Sequence, residues 1–136
     1  MSTDNFSSKL DEALGLDGPS SEAYQPSLTP LRRIVEAIEG RMNRDLPEKR
    51  IHLDVVPGFQ AHLGRQFKVV LRIPTKQFQD SLFRVYLPSD DGPVNLDLYG
   101  DEPVACANEE ELEDRILEFL AKIKDRMGQY RQYAKD

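Results

Sequence analysis

Leu31, Ile34, Val35, Ile38 and Met42 fall at intervals of three and four, which places one apolar stripe along a helix. Thr29 and Pro30 predict its start: a hydroxyl at the N-cap and a proline where a missing N–H costs nothing. Pro47 predicts its stop, with Arg41 and Arg44 near the negative pole of the helix dipole. The period then changes from near 3.6 to 2. Ile51, Leu53 and Val55 alternate with His52, Asp54 and Val56; Phe67, Val69, Leu71 and Ile73 alternate with Lys68, Val70 and Arg72. Phe83, Val85 and Leu87 alternate with Leu82, Arg84 and Tyr86, and Val94, Leu96 and Leu98 with Asn95, Asp97 and Tyr99. Four runs with one wholly apolar face predict an antiparallel sheet covered on one side. The SDDGP stretch at residues 89–93 predicts a tight turn, and the Pro57-Gly58 pair a bend or bulge.

A second helix follows Asn108, which with Glu111 forms a variant of the capping box; acidic residues crowd the positive pole. Its stripe is Leu112, Ile116, Phe119, Leu120, Ile123, Met127 and Tyr130. A single helix reaching Ala134 would be about 40 Å long and would overshoot a sheet some 15–20 Å wide, leaving residues 129–136 projecting beyond a bend at Gly128. The predicted fold is therefore α+β: a four-stranded antiparallel meander with two helices packed on one face, in the order α-β-β-β-β-α. Residues 29–136 form this domain.

Residues 1–28 are predicted to be a flexible N-terminal segment, because residues 17–28 (DGPSSEAYQPSL) have linker composition. Inside it, Phe6, Leu10 and Leu14 fall at i, i+4 and i+8, which predicts a short helix over residues 5–15 capped by Asn5 and ended at Gly15. A helix that short is not stable alone in water. It needs a surface, either that of its own domain or that of another protein.

Charge adds one asymmetry. The chain of 136 residues carries a formal net charge of −6. Residues 1–30 contribute −4, residues 31–76 contribute +5 and residues 77–136 contribute −7. Net acidity disfavours nucleic acid and anionic membranes, and the basic middle third most simply neutralises the acidic flanks within the fold. No apolar run spans a bilayer, the start lacks the layout of a signal peptide, and the single cysteine excludes an internal disulfide. A cytoplasmic protein is expected.

Catalytic signals are weak. Cys106 lies just before a helix start, where a thiolate would be favoured, but free cysteine is more often a small buried apolar group. Asp90, Asp91, Asp97, Asp101 and Glu102 lack the spacing of a calcium loop, and turns favour aspartate for backbone reasons alone. No phosphate-cradling glycine loop, paired histidines or nucleophile motif is present. No catalytic residue, metal site or cofactor is assigned.

The outward sheet face carries more information. Lys68, Arg72, Arg84, Tyr86 and Tyr99 share it with Asp54, Asp97, Val70 and Leu82, either as cross-strand pairs (Asp54 with Lys68 or Arg72, Arg84 with Asp97) or as a binding surface. The expected function is a non-enzymatic protein-interaction or adaptor module. It would bind a protein partner through Lys68, Arg72, Arg84, Tyr86 and Tyr99, through the N-terminal peptide with Phe6, Leu10 and Leu14, or through both; a second copy is one candidate partner. A narrower alternative, on size, acidity and helix–sheet–helix order, is a small acidic chaperone of the secretion type acting as a dimer. Against it, residues 74–80 are only a loop long, leaving no place for a central helix between strands, and no motif carries a family assignment. The third alternative is nucleic-acid binding through Arg41, Arg44, Lys49, Arg50, Lys68, Arg72 and Arg84.

Overall fold

The computed structural model describes residues 25–88, 92–98 and 102–136, together with Phe6 and Lys9. Helix α1 (Gln25–Met42) leads into strands β1 (His52–Ala61), β2 (Gly64–Ile73), β3 (Phe78–Leu87), β4 (Val94–Asp97) and β5 (Val104–Cys106), followed by α2 (Glu109–Lys122) and α3 (Lys124–Lys135). The strands form one antiparallel sheet in sequence order, β1-β2-β3-β4-β5. The class is α+β as expected, with five strands and three helices among the described residues from Gln25 onward rather than four and two. Among the described residues no helix is long and apolar enough to cross a membrane.

Alternation along the strands decides which face is covered. Leu53, Phe67, Val69, Leu71, Ile73, Phe83, Val85, Leu87 and Leu96 are buried together with Leu28, Leu31 and Val35 of α1 and Leu112, Ile116, Phe119, Met127, Tyr130 and Ala134 of α2 and α3. The helices thus share one face of the sheet. Phe119 of α2 meets Phe83 of β3 edge-on with ring centroids 5.9 Å apart, a geometry that suits the ring quadrupoles.

Four departures from the expectation have local causes. α1 starts at Gln25 rather than after Thr29, so that Leu28 enters the core at 1% exposure and Pro30 lies inside the helix. β5 has only three residues, too few for an alternation to show. The C-terminal helix is interrupted at Ile123 (φ −110°, ψ 21°), not at Gly128. The Ile123 N–H is shared between the carbonyls of Phe119 and Leu120, both at 3.2 Å, which tightens the turn and redirects the chain. Residues 129–136 therefore do not project. Tyr130 and Ala134 are buried, and Tyr130 and Tyr133 each lie 5.6 Å from the ring of Phe78. Finally, the β2–β3 register slips after Val69, which pairs with Phe83 while Val70 pairs with Ser81. Leu82 is the extra residue of this bulge and is fully buried, so it is not part of the outer face.

The first edge of the sheet is closed by α1's C-terminal turn. The Asn43 amide uses all its hydrogen-bonding capacity: Nδ2 donates to Glu39 O (2.9 Å) and Ile51 O (2.8 Å), and Oδ1 accepts from Arg50 N (3.0 Å) and Ile51 N (2.9 Å). Glu39 Oε2 accepts from Leu53 N at 2.8 Å, while Oε1 pairs with Lys49 Nζ at 2.8 Å. Further along, Pro57 has no N–H to offer and the register is irregular between Pro57 and Gln60, where the sequence predicted a bend. An edge treated in this way gives another strand little to pair with.

Candidate functional site

Among the described elements from α1 onward, no helix covers the outer sheet face, and the structure brings four of the sequence-predicted residues together on it. Lys68 lies between Val56 on β1 and Arg84 on β3, and Arg84 in turn faces Asp97 on β4. Arg72 faces His52 and Gln79, and its guanidinium reaches diagonally to pair with Asp54; each side chain of that pair is about 40% exposed. Tyr86 faces Gln66 and Asn95, and its hydroxyl accepts from Gln66 Nε2 at 3.3 Å. Gln66 is 2% exposed although it lies on this face. The bulged end of β1 comes close to it: a Cβ at Gly58 would lie 2.8 Å from Gln66 Oε1. Tyr99, Leu10 and Leu14 lie outside the described residues, as does most of the predicted N-terminal helix. Phe6 is helical and 64% exposed.

Much of the basic middle third is used inside the fold. Lys49 pairs with Glu39 and Arg72 with Asp54. Arg50 Nη1 donates to the carbonyls of Ala134 (3.0 Å) and Lys135 (3.2 Å), the unsatisfied acceptors at the end of α3. Arg131 does the same in return. Its Nε donates to Met42 O at 3.2 Å and its Nη2 to Arg44 O at 2.6 Å, placing a cation at the negative pole of α1.

The thiol, the histidines and the carboxylates do not converge. Cys106 on β5 is 2% exposed, and burial, reinforced by the negative charge of Glu111, pushes its thiol above the ordinary value. His52 lies on β1, four strand spacings or about 19 Å across the sheet from β5. Asn108 caps α2 through Oδ1, which accepts from Glu111 N at 2.9 Å, and Glu111 Oε2 reaches back to Ala107 N at 2.6 Å. Of the acidic residues at this helix start, Glu111 is thus at work in the cap and Glu109 pairs with Arg33. Among the described residues no cluster of His, Cys, Asp and Glu is placed to hold a metal; Asp90, Asp91 and Asp101 lie outside them.

A surface that the strand pattern did not indicate lies between the helices. Ala37, Ile38, Arg41 and Met42 of α1 face Leu117 and Leu120 of α2 and Lys124, Met127, Gly128 and Arg131 of α3 across an open groove of about 570 Å³. Its floor is aliphatic and thioether, its rim holds three cations, and no acidic side chain among the described residues lines it. Arg41 and Lys124 pair with no other described residue. Leu117 is 63% exposed, well above its neighbours on the stripe. Sequence reasoning assigned Ile38, Met42, Leu120 and Met127 to the core stripe. The signal it passed over was Leu117, one position off that stripe, which widens the apolar arc of α2 beyond what the sheet can cover.

The fold and both surfaces thus rest on the chain's own geometry. Compared with protein families, curated proteins and solved structures, the chain matches none.

Proposed function

We propose that this protein is a non-catalytic protein-interaction module that receives an acidic amphipathic helix in the groove between α1 and α2–α3. The observation that carries this reading is the pairing of an apolar groove, open at the exposed Leu117 and the half-buried Ile38 and Leu120, with a rim of one charge sign. Leu117 and the half-buried Ile38 and Leu120 offer apolar area above the buried Met42 and Met127; Arg41, Lys124 and Arg131 select against basic ligands and orient acidic ones. Two methionines in the floor let it adapt to side chains of different shape. On α2–α3 the lining residues 117, 120, 124, 127/128 and 131 form one strip about 21 Å long, the length of a helix of about fourteen residues.

The test is selection from a phage-displayed library of helical peptides against the full-length chain, followed by amide-shift mapping of the winners. Enriched peptides should carry net negative charge with apolar residues at i, i+4 and i+7, and should shift Ile38, Leu117 and Met127. Leu117→Glu, at a 63% exposed site, should leave the fold intact and weaken binding at least tenfold. Basic winners, or shifts confined to the sheet face, would overturn the reading.

One observation favours a second reading, in which the outer sheet face also binds an anionic partner. Lys68 and Arg84 are direct cross-strand neighbours in the centre of that face, a like-charge contact that costs stability, offset in part by Asp97 on the other side of Arg84. Lys68→Gln should therefore stabilise the fold by about 0.2–1 kcal/mol in urea unfolding. A loss of stability would mean that the lysine serves the fold, and this reading would fall.

A further inference from the structure

We infer that the groove's resident ligand is the chain's own N-terminal segment, residues 5–16, docking in cis and competing with external helices. This rests on the reading of the groove as a helix receptor and adds its regulation. The segment has the chemistry the groove selects. Phe6, Leu10 and Leu14 form one apolar stripe, and Asp4, Asp11, Glu12 and Asp17 against Lys9 leave residues 4–17 at −3, opposite a rim of three cations. A helix over residues 5–16 would be about 18 Å long, and the strip on α2–α3 from Leu117 to Arg131 about 21 Å. The tether is long enough. Eight residues separate the segment from Gln25, where α1 starts, so it can reach about 30 Å when extended. The groove begins twelve residues into α1 and ends at Met42, roughly 18–26 Å from that start.

In the structure the groove is open and Phe6 is 64% exposed. A short stripe of three apolar residues has no stable helix of its own to fall back on. Tethering compensates for weak intrinsic affinity: a flexible linker of this length gives an effective concentration on the order of 1 mM. A segment with an intrinsic Kd of about 0.1–0.3 mM would then occupy the groove most of the time and weaken an external peptide roughly three- to tenfold.

The experiment uses the full chain carrying a nitroxide at Ser8→Cys. The native thiol, Cys106, is 2% exposed and is left unlabelled under native conditions. Amides at Ile38, Leu117 and Met127 should broaden, and should sharpen again when Leu10→Asp and Leu14→Asp are added. Broadening elsewhere, or none, overturns the proposal. Broadening that appears only on an unlabelled, isotope-enriched copy mixed with a labelled one also overturns it, because the segment would then dock in trans. As a second readout, a phage-selected acidic helix should bind the Leu10→Asp/Leu14→Asp chain about three- to tenfold tighter than the wild type. Equal binding to both chains refutes cis competition alone; binding to neither refutes the groove itself.

Discussion

Asn43 bears on fold and edge at once, and replacing it with alanine should cost about 2–4 kcal/mol. The amide closes four hydrogen bonds between the end of α1 and the start of β1, at 2.8–3.0 Å. At a net value of about 0.5–1.5 kcal/mol per bond the simple total is 2–6 kcal/mol. Part of it is recovered, because Glu39 O keeps the backbone N–H of residue 43 as a donor at 3.1 Å. Ile51 is fully buried, so its N–H and C=O lose their partners with no ready replacement, which keeps the loss in the upper half of what single substitutions cost. The assay is urea unfolding followed by far-ultraviolet circular dichroism, since the chain has no tryptophan. The midpoint should fall with the slope unchanged, and amide exchange at Ile51 and Leu53 should accelerate before exchange at the β2–β3 centre. Asn43→Asp separates the donors from the acceptors. It keeps both accepting bonds but turns a carboxylate toward Glu39 O and Ile51 O, so its penalty should ease on acidification, when the acid can donate again. A loss below about 0.5 kcal/mol for Asn43→Ala would show that the junction is held by packing alone, and the account of this edge would be wrong.

Three further outcomes follow from single groups. Burial alone would raise the Glu39 carboxyl, but the Lys49 ammonium and the Leu53 N–H outweigh it and hold it below its ordinary 4.5. Its stabilising contribution is therefore full above that value and is lost as pH falls through the lowered one; Glu39→Gln should flatten this limb of a stability–pH curve, and an unchanged limb would refute the assignment. Burial and the hydrogen bond to Asp80 push the Tyr130 hydroxyl up to about 12 from 10.0, so its contribution persists below pH 10 and disappears as pH rises through 12. A tyrosinate absorbance titration should show a late component that Tyr130→Phe removes; if the late component survives, another tyrosine is responsible. Gly64 has φ +129°, and a Cβ there would lie 2.5 Å from Leu87 O, so Gly64→Ala should destabilise by about 2–4 kcal/mol, and a neutral result would mean the β1–β2 turn relaxes freely.

What could be read from the chain was whatever obeys a period. The inward residues of β1 to β4 and the stripes of the helices alternate regularly, and all of these land in one core. The failures cluster where geometry changes without a change in composition. Ile123 breaks the C-terminal helix although the apolar stripe continues in phase from Leu112 to Ala134, because a shared hydrogen bond bends the axis without rotating the face. No proline or glycine marks the position, and Gly128, which has the expected residue type, lies within α3 with open space around it. Leu82 likewise kept perfect alternation in the sequence; one extra residue in β3 turned it inward and brought Ser81 opposite Val70. The sequence anticipated two pairings of the outer face, Asp54 with Arg72 and Arg84 opposite Asp97, but not the contact between Lys68 and Arg84. Asp54 pairs with Arg72 diagonally while Lys68 meets Arg84, an arrangement that depends on strand alignment. The groove was illegible for a different reason: it is made by residues from three helices, and whether two apolar stripes meet or stay apart is not written in either.

That separation has a cause in the structure. Arg33 in the middle of α1 pairs with Glu109 at the start of α2, and Arg131 of α3 is bound to the carbonyls of Met42 and Arg44 at the end of α1, so the two helical layers run in the same direction and are tied on both sides of the groove. Arg50 adds a tie from the start of β1 to the end of α3. The first contact is exposed and weak, but the capping contacts each satisfy carbonyls that would otherwise have no partner, and are correspondingly stronger. Between these anchors, Ala37 and Ile38 on one side and Leu117 and Leu120 on the other stay far enough apart to leave an open groove. Collapse would require the arginines to give up their carbonyls, and so Leu117, with the half-buried Ile38 and Leu120, stays accessible in the resting fold. A receptor held open in this way has already met much of the ordering cost of binding, which makes a short, weakly helical ligand sufficient. Arg131→Gln is the direct test: it shortens the donor and removes the charge while leaving an amide at the position. If the anchors hold the groove open, amide shifts should spread across Ala37, Ile38, Leu117 and Leu120, and binding of a phage-selected helix should weaken by more than the loss of one rim charge, which Arg41→Gln measures separately. Equal weakening in the two variants would mean that the rim acts through charge alone and that the groove stays open without the arginine anchors.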